Sequence, residues 1–213
     1  MNRGTLSIRL REATQAAHHR IDHHPALAPL VHRGLTLQHY AEVLRAMAWI
    51  YRTLDVAFTD ALARHCPDDA YRCSERTQWL AVDLAYLHRD DPLPPPWTAP
   101  TIESAPALVG RLYAIEGSTL GGQVIARCVT AAIGVGPQSG GRMFHGHGAQ
   151  TQARWAEFGA FAERSCPPAA HELACEAANS MFSELGELLD RWRWEPIPSS
   201  AGMETSERPI PVR

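Results

Sequence analysis

The chain contains no lysine, and all 20 of its basic residues are arginine. A site for an anion must therefore be built from arginine, histidine or backbone N–H groups. Arginine suits this purpose because its planar guanidinium can hold a carboxylate through two hydrogen bonds. The formal net charge is −3 and no long basic run occurs, which argues against a nucleic-acid-binding protein.

Paired cysteines and long apolar runs are also missing. The five cysteines form no CxxC motif, and their number is odd. No apolar run reaches about 18 residues, and no basic segment leads into an apolar one at the N-terminus. We expect a soluble, cytoplasmic protein with free thiols and no membrane-spanning segment.

Strand patterns are absent as well, because alternation of apolar and polar residues never extends far enough to seed a sheet. Large apolar residues recur instead at helical spacing, which predicts an all-α chain with one domain over residues 1–195. The end, 196–213, is rich in Pro, Ser and Glu and is expected to be a disordered tail. The predicted helices cover about residues 5–22, 37–65, 69–89, 103–133, 150–164 and 168–193.

One predicted helix, over 103–133, is interrupted by Gly117, Gly121 and Gly122. Each glycine in a helix costs about 1 kcal/mol relative to alanine, so the missing side chains are expected to serve a purpose. Gly117 and Gly121 are four residues apart and share one face, which is bare backbone. A flat ligand can lie against such a face. Close packing of another helix, or a break between two helices, explains the same pattern.

The first predicted helix carries a polar stripe formed by Arg11, Thr14, His18 and Asp22. At 100° per residue, His18 lies about 80° from Leu10, at the edge of the buried face. A neutral imidazole there can ligate a metal, with the Asp22 carboxylate receiving the proton of its other ring nitrogen. The alternative is a histidine favoured by the helix dipole, with Arg11 and Asp22 as solvated charges.

Two segments resemble the signatures of one family. Residues 10–18 (LREATQAAH) resemble the first-helix motif of haem oxygenases, and residues 112–123 (LYAIEGSTLGGQ) resemble their distal helix. The motifs occur in the family's order and at about its separation, and the resemblance covers nearly all of residues 5–193. The variant EGSTLGG is most similar to bacterial biliverdin-producing enzymes associated with bacteriophytochromes.

The resemblance implies a single helical bundle with haem between the first helix and the glycine-kinked distal helix. It also implies a reaction: O₂- and electron-dependent cleavage of haem at a meso carbon to biliverdin, CO and Fe²⁺. Haem would be both substrate and cofactor. Because the sequence has no nucleotide fingerprint, a separate ferredoxin- or flavoprotein-type reductase is expected to supply electrons. A bacteriophytochrome is the expected recipient of the biliverdin.

The resemblance further assigns roles to individual residues. His18 would be the axial ligand of the haem iron, with Asp22 one helical turn beyond it. Gly117 and Gly121 would form the distal wall, and Ser118 stands where the mammalian enzymes have an aspartate that organises water. The other expected haem-binding residues are Arg11, Thr14, Tyr113, Gly122, Arg154 and Phe182.

Other functions remain open from the sequence. A non-catalytic haem carrier or sensor would keep His18 and the glycines, and the uncharged Ser118 favours that reading. Haem degradation for iron acquisition would use the same residues. A di-iron oxidase is disfavoured because no Glu is followed by His three residues later. His145 and His147 have no cysteine or carboxylate at ligand spacing, so their loop is expected to border the pocket or lie on the surface.

Overall fold

The computed structural model describes residues 5–74 and 76–194. The predicted disordered tail, 196–213, lies outside them. Within the described residues every regular element is helical, which confirms the prediction of an all-α chain. The α-helices are α1 (Thr5–Asp22), α2 (Leu37–His65), α3 (Arg76–Tyr86), α4 (Ala105–Ile133), α5 (Arg142–His145), α6 (Thr151–Ser165) and α7 (His171–Arg191).

The third helix is shorter at its start than the sequence predicted. The prediction of 69–89 was wrong there because the backbone before α3 bonds to side chains instead of forming a helix. The Asp69 carboxylate accepts a hydrogen bond from the N–H of Tyr71 (2.8 Å), which closes a turn. The N–H of Ser74 donates to the carboxylate of Glu116 on α4 (3.0 Å).

The same helix also ends three residues early. His88 has a left-handed backbone (φ 53°), a conformation that terminates an α-helix. The N–H of Arg89 then turns back to the carbonyl of Leu84 (2.9 Å). Arg89 therefore lies beyond the helix.

Helix α4 continues through its glycines, so they do not mark a break between two helices. It begins after Ser104, whose hydroxyl accepts a hydrogen bond from the N–H of Ala107 (3.3 Å). It ends at Gly134, which takes the left-handed conformation that glycine allows (φ 75°). One uninterrupted helix therefore carries the whole 112–123 motif.

The Gly-rich loop after α4, residues 134–148, contains a short helix, α5, that the sequence did not predict. The buried carboxylate of Asp83 on α3 accepts hydrogen bonds from the N–H groups of Arg142 and Met143, both at 2.7 Å. These bonds satisfy the free donors at the start of α5. Burial raises the pKa of Asp83 although both donors act to lower it. The loop is thus fastened to α3 through one carboxylate.

Helix α7 joins the two helices that carry the motifs. Both α1 and α4 pack on α7 along their lengths, whereas α1 and α4 hardly contact each other. The crossing of α4 and α7 is close: a Cβ added at Gly110 would lie 2.0 Å from the carbonyl oxygen of Ala174. The described helices include none that is both long and apolar enough to span a bilayer. The arrangement leaves a gap between α1 and α4.

Candidate functional site

A cavity of about 670 Å³ lies between α1 and α4. Its volume falls in the range of small-molecule and cofactor pockets. Trp155 of α6 and Phe182 of α7 contribute aromatic walls. The residues predicted for the site that line the cavity are Arg11, Thr14, His18, Tyr113, Gly117, Gly121 and Phe182. The structure thus brings most of the predicted residues together.

His18 and Asp22 form a pair on the α1 side of the cavity. Nδ1 of His18 lies 2.9 Å from Oδ2 of Asp22, and both side chains are about half exposed (54% and 56%). When Nδ1 carries the proton donated to Asp22, Nε2 has a free lone pair for a metal. The Phe182 ring meets the imidazole edge-on, with centroids 5.6 Å apart. The imidazole is therefore oriented by two neighbours.

Arg11 and Thr14 occupy different depths of the same wall. Thr14 is buried, and its hydroxyl donates to the carbonyl of Leu10 (2.7 Å), so it shapes the cavity without offering a free donor. Arg11 is exposed, and no residue in the described ranges forms a hydrogen bond or ion pair with it. Its guanidinium can therefore hold an acidic group at the cavity mouth.

The three glycines of α4 serve two separate purposes. Gly117 and Gly121 face the cavity: a Cβ at Gly117 would only touch Trp155 at 3.7 Å, and a Cβ at Gly121 would meet nothing within 4 Å. Gly122 lies on another face, where a Cβ would come within 3.1 Å of the carbonyl oxygen of Phe144. Gly122 does not line the cavity, so the structure does not support the predicted direct contact of Gly122 with haem. Open space and close packing thus both occur in this segment.

A family model described as Heme oxygenase matches residues 4–93 and 98–191. The chain belongs to the haem oxygenase family. It is therefore an enzyme of haem degradation, and haem is its substrate. The cavity suits this group, because it places an oriented imidazole on one side and bare helix backbone on the other.

Solved structures support the fold of this haem oxygenase. The NO- and CO-bound heme oxygenase of Neisseria meningitidis has 23% sequence identity and a TM-score of 0.70, over 87% of this chain and 90% of that chain. Heme oxygenase-1 of the cyanobacterium Synechocystis, in complex with heme, has 15% identity and a TM-score of 0.65, over 88% and 91%. No curated protein sequence matches significantly.

Arg154 is the predicted propionate contact that the structure does not bring to the cavity. Its guanidinium donates to the carboxylate of Glu157 (2.6 Å) and to the carbonyl of Arg72 (3.0 Å). Successive residues of a helix point about 100° apart, so the next residue, Trp155, faces the cavity instead. The Trp155 ring lies 5.7 Å from that of Tyr113. The sequence analysis missed Trp155, although its position on α6 was the available signal.

Ser118 follows Gly117 on α4 but does not line the cavity. It is exposed, and its hydroxyl donates to the carbonyl of Ile115 (2.7 Å). A hydroxyl that donates in this way still has lone pairs with which to accept a hydrogen bond from water. Burial raises the pKa of nearby Tyr51, while the Arg76 cation and the Ser118 hydroxyl act to lower it.

A buried polar cluster behind the distal helix was not predicted. Arg76 and Glu116 are almost wholly buried, and Nη2 of Arg76 lies 3.3 Å from Oε2 of Glu116. Ser74 donates to the same carboxylate through its N–H and its hydroxyl, both at 3.0 Å. Burial alone would raise the pKa of Glu116, but Arg76 and Ser74 hold it below its usual range. The carboxylate is therefore ionised and fully engaged.

The loop histidine His147 joins this cluster. Its Nε2 lies 2.8 Å from the hydroxyl of Ser74, and its ring meets Trp79 edge-on. Burial, followed by the positive charge of Arg154, lowers the pKa of His147. Across residues 5–74 and 76–194, no group of three or more His, Cys, Asp or Glu side chains is arranged to hold a metal ion. His147 thus connects the Gly-rich loop to α4.

Proposed function

We propose that this enzyme cleaves haem at a meso carbon to give biliverdin, CO and Fe²⁺, using O₂ and electrons from an external donor. The observation that carries the proposal is the opposition of His18 to Gly117 and Gly121 across one cavity. One wall offers an imidazole as an iron ligand, and the other offers space for a small second ligand. A single domain over residues 1–195 would contain the whole site.

His18 would bind the haem iron through Nε2, because Asp22 engages Nδ1. When bound, haem supplies the iron that activates O₂. Arg11 and Tyr113, which line the same cavity, would hold the haem propionates. Phe182 and Trp155 would pack against the apolar part of the ring.

Ser118 would take part in ordering water on the distal side. Its proton is committed to the carbonyl of Ile115, so its oxygen would accept hydrogen bonds from solvent. A water held in this way would lie next to Gly117, which lines the cavity. This arrangement supplies an uncharged substitute for the aspartate that the mammalian pattern has at this position.

Turnover of bound haem tests the proposal directly. The purified protein is mixed with haemin, and ascorbate or a ferredoxin- or flavoprotein-type reductase is added in air. We expect the Soret band to disappear while biliverdin and free ferrous iron form. A haem complex that persists under reductant and O₂ would instead establish a carrier or sensor.

We also propose that the biliverdin supplies a bacteriophytochrome in the cytoplasm. The sequence of residues 116–122 supports this recipient, and the five free cysteines support a reducing compartment. Coupled assembly is the test: the enzyme, haem and reductant are incubated with a bacteriophytochrome apoprotein. Covalent chromophore attachment at the rate of haem loss supports the link. Two results together would favour iron acquisition. Free biliverdin added without the enzyme would attach to the apoprotein equally well, and iron would be released faster than the chromophore attaches.

A further inference from the structure

We propose that the buried Arg76–Glu116 pair is a positioning device that sets where the glycine segment of α4 lies over the haem cavity. Arg76 and Glu116 do not line the cavity, so they would act through the helix backbone. The inference rests on the proposed function, in that haem occupies the cavity and a small ligand binds beside Gly117 and Gly121. The inference assigns to Arg76 and Glu116 control over the affinity for that small ligand.

The carbonyl groups just before the glycines accept hydrogen bonds from side chains. The carbonyl of Ile115 accepts from Nη2 of Arg76 (2.8 Å) and from the hydroxyl of Ser118 (2.7 Å). The carbonyl of Glu116 accepts from the hydroxyl of Thr119 (2.6 Å). In a regular helix each carbonyl accepts the N–H four residues later, and Ser or Thr hydroxyls often donate to it as well. The bond from Arg76 differs because it comes from another helix. Side-chain donors thus add to the helical ladder at the turn that leads into Gly117.

Gly117 and Gly121 have no side chains with which to hold this face of α4 in place. The position of Gly121 is open for at least 4 Å around an added Cβ, and the nearest atom to a Cβ at Gly117 is 3.7 Å away. Contacts of the residues on either side of these glycines therefore help to fix the position of this face. The pair of Arg76 and Glu116 holds one end to α3, and the close approach of Gly122 to Phe144 holds the other to α5.

The cluster also links the elements that flank this segment. Ser74, in the connection before α3, donates twice to Glu116, and its hydroxyl contacts His147 of the Gly-rich loop. Ser74 and Arg76 therefore contact this carboxylate directly, and the Gly-rich loop is linked to it through the Ser74 hydroxyl. A buried ion pair adds little net stability, because desolvation offsets the attraction between the charges. A positional role accounts for its presence better than stability does.

The test compares Glu116→Gln with Glu184→Gln. Glu184 of α7 forms another ion pair with α4, through Arg111 (2.6 Å), away from the cavity lining, and serves as the matched control. Hydrogen–deuterium exchange of residues 112–123 is measured in the haem-free protein. Azide affinity is measured at saturating haem, and haem affinity is measured separately. Ser74→Ala is the milder variant, which decides the result if Glu116→Gln does not fold.

For Glu116→Gln we expect faster exchange in residues 112–123 and an azide dissociation constant changed by roughly fivefold, with haem affinity little altered. Glu184→Gln should leave azide affinity unchanged. Wild-type exchange and azide affinity in both Glu116→Gln and Ser74→Ala would overturn the inference, as would equal effects from Glu184→Gln. Failure of the wild-type protein to bind haem would refute the proposed function instead. Faster exchange in Glu116→Gln that is confined to residues 112–123 would still support the positional role, whereas a uniform increase over the whole protein would show lost stability alone.

Discussion

Nδ1 of His18 lies 2.9 Å from a carboxylate oxygen of Asp22, one helical turn later on α1. This contact selects the tautomer whose Nε2 can bind iron. It also makes the histidine a better electron donor, because a carboxylate partner raises the basicity of a ligand imidazole.

Asp22→Asn should therefore weaken the iron–histidine bond without removing the ligand. We expect haem affinity or turnover to fall by about 10- to 100-fold, as for other partners of metal-bound histidines. Resonance Raman spectra of the ferrous complex report the iron–histidine stretch, which should shift to lower frequency. Asp190→Asn is the control, since Asp190 contacts His24 at the protein surface (3.2 Å). An unchanged stretch in Asp22→Asn would contradict the assigned role.

His18→Ala should abolish the axial ligand and nearly all turnover. The haem can still enter by shape, so we expect a haem complex whose absorption spectrum lacks the features of histidine ligation. His19→Ala is the matched variant, because His19 is exposed and stacks on His23 (centroids 4.1 Å apart). A normal ferric spectrum in His18→Ala together with a lost one in His19→Ala would reverse the assignment.

Gly121→Ala should separate stability from binding. A helical glycine replaced by alanine gains up to about 1 kcal/mol in the free energy of unfolding, and nothing within 4 Å obstructs the new methyl group. The same methyl group projects into the cavity, so we expect weaker haem binding or weaker azide binding to the haem complex. Thermal denaturation and titration measure the two effects.

Gly159→Ala on α6 provides the comparison for this prediction. A Cβ at Gly159 also meets nothing within 4 Å, and Gly159 does not line the cavity. It should gain stability and bind haem normally. If Gly121→Ala bound haem and azide as tightly as Gly159→Ala, the distal-wall interpretation would fail.

Arg11→Ala should allow haem to rotate more freely within its own plane in the cavity. Among the described residues that line the cavity, Arg11 offers an arginine side chain without a partner. A propionate held there would set which meso carbon is exposed to attack. We expect lower haem affinity and a changed ratio of biliverdin isomers, resolved by chromatography. Arg9→Ala, whose side chain pairs with Glu172 (3.4 Å), should leave the ratio unchanged. An unaltered isomer ratio and affinity in Arg11→Ala would exclude the contact.

The ionised Glu116 predicts a dependence of stability on pH. Its pKa is lower in the folded protein than in the unfolded chain, so its contribution is complete above the ordinary glutamate pKa and is lost as pH falls through the folded value. As pH falls below about 5, the free energy of unfolding should fall more steeply in the wild type than in Glu116→Gln.

Glu116→Gln should also be less stable at neutral pH, because Arg76 is then buried without its counter-ion. Urea denaturation at a series of pH values measures both effects, with Glu184→Gln as the comparison. Parallel pH profiles for wild type and Glu116→Gln would show that Glu116 does not titrate with the shift described above.

Local signals explain why part of the site was predictable. The bounds of α1 and α2 follow from helical spacing and from the Thr36 cap, whose hydroxyl accepts from the N–H of His39 (3.1 Å). Helical geometry separated His18 from His19, and it placed Gly117 and Gly121 on one face. These inferences need only the residues of a single helix.

The remainder depended on partners distant in the chain. Ser74 forms no helix because its N–H bonds to Glu116, 42 residues later. Gly122 packs on Phe144 and Arg154 turns toward Arg72, and neither partner can be identified from spacing alone. Such pairings arise only when the helices are assembled, so the buried cluster behind α4 was not visible in the sequence.

The shared contact of α1 and α4 with α7 has a consequence for the catalytic cycle. A substrate that separates two helices also acts as part of the hydrophobic interior, and its binding adds to the stability of the fold. With haem bound between α1 and α4 as proposed, the enzyme would degrade that part of its interior in each turnover. Helix α7 holds both walls in register by its own contacts, with the close crossing at Gly110 as one fixed point. These contacts would therefore keep α1 and α4 in place each time haem binds and each time the product leaves.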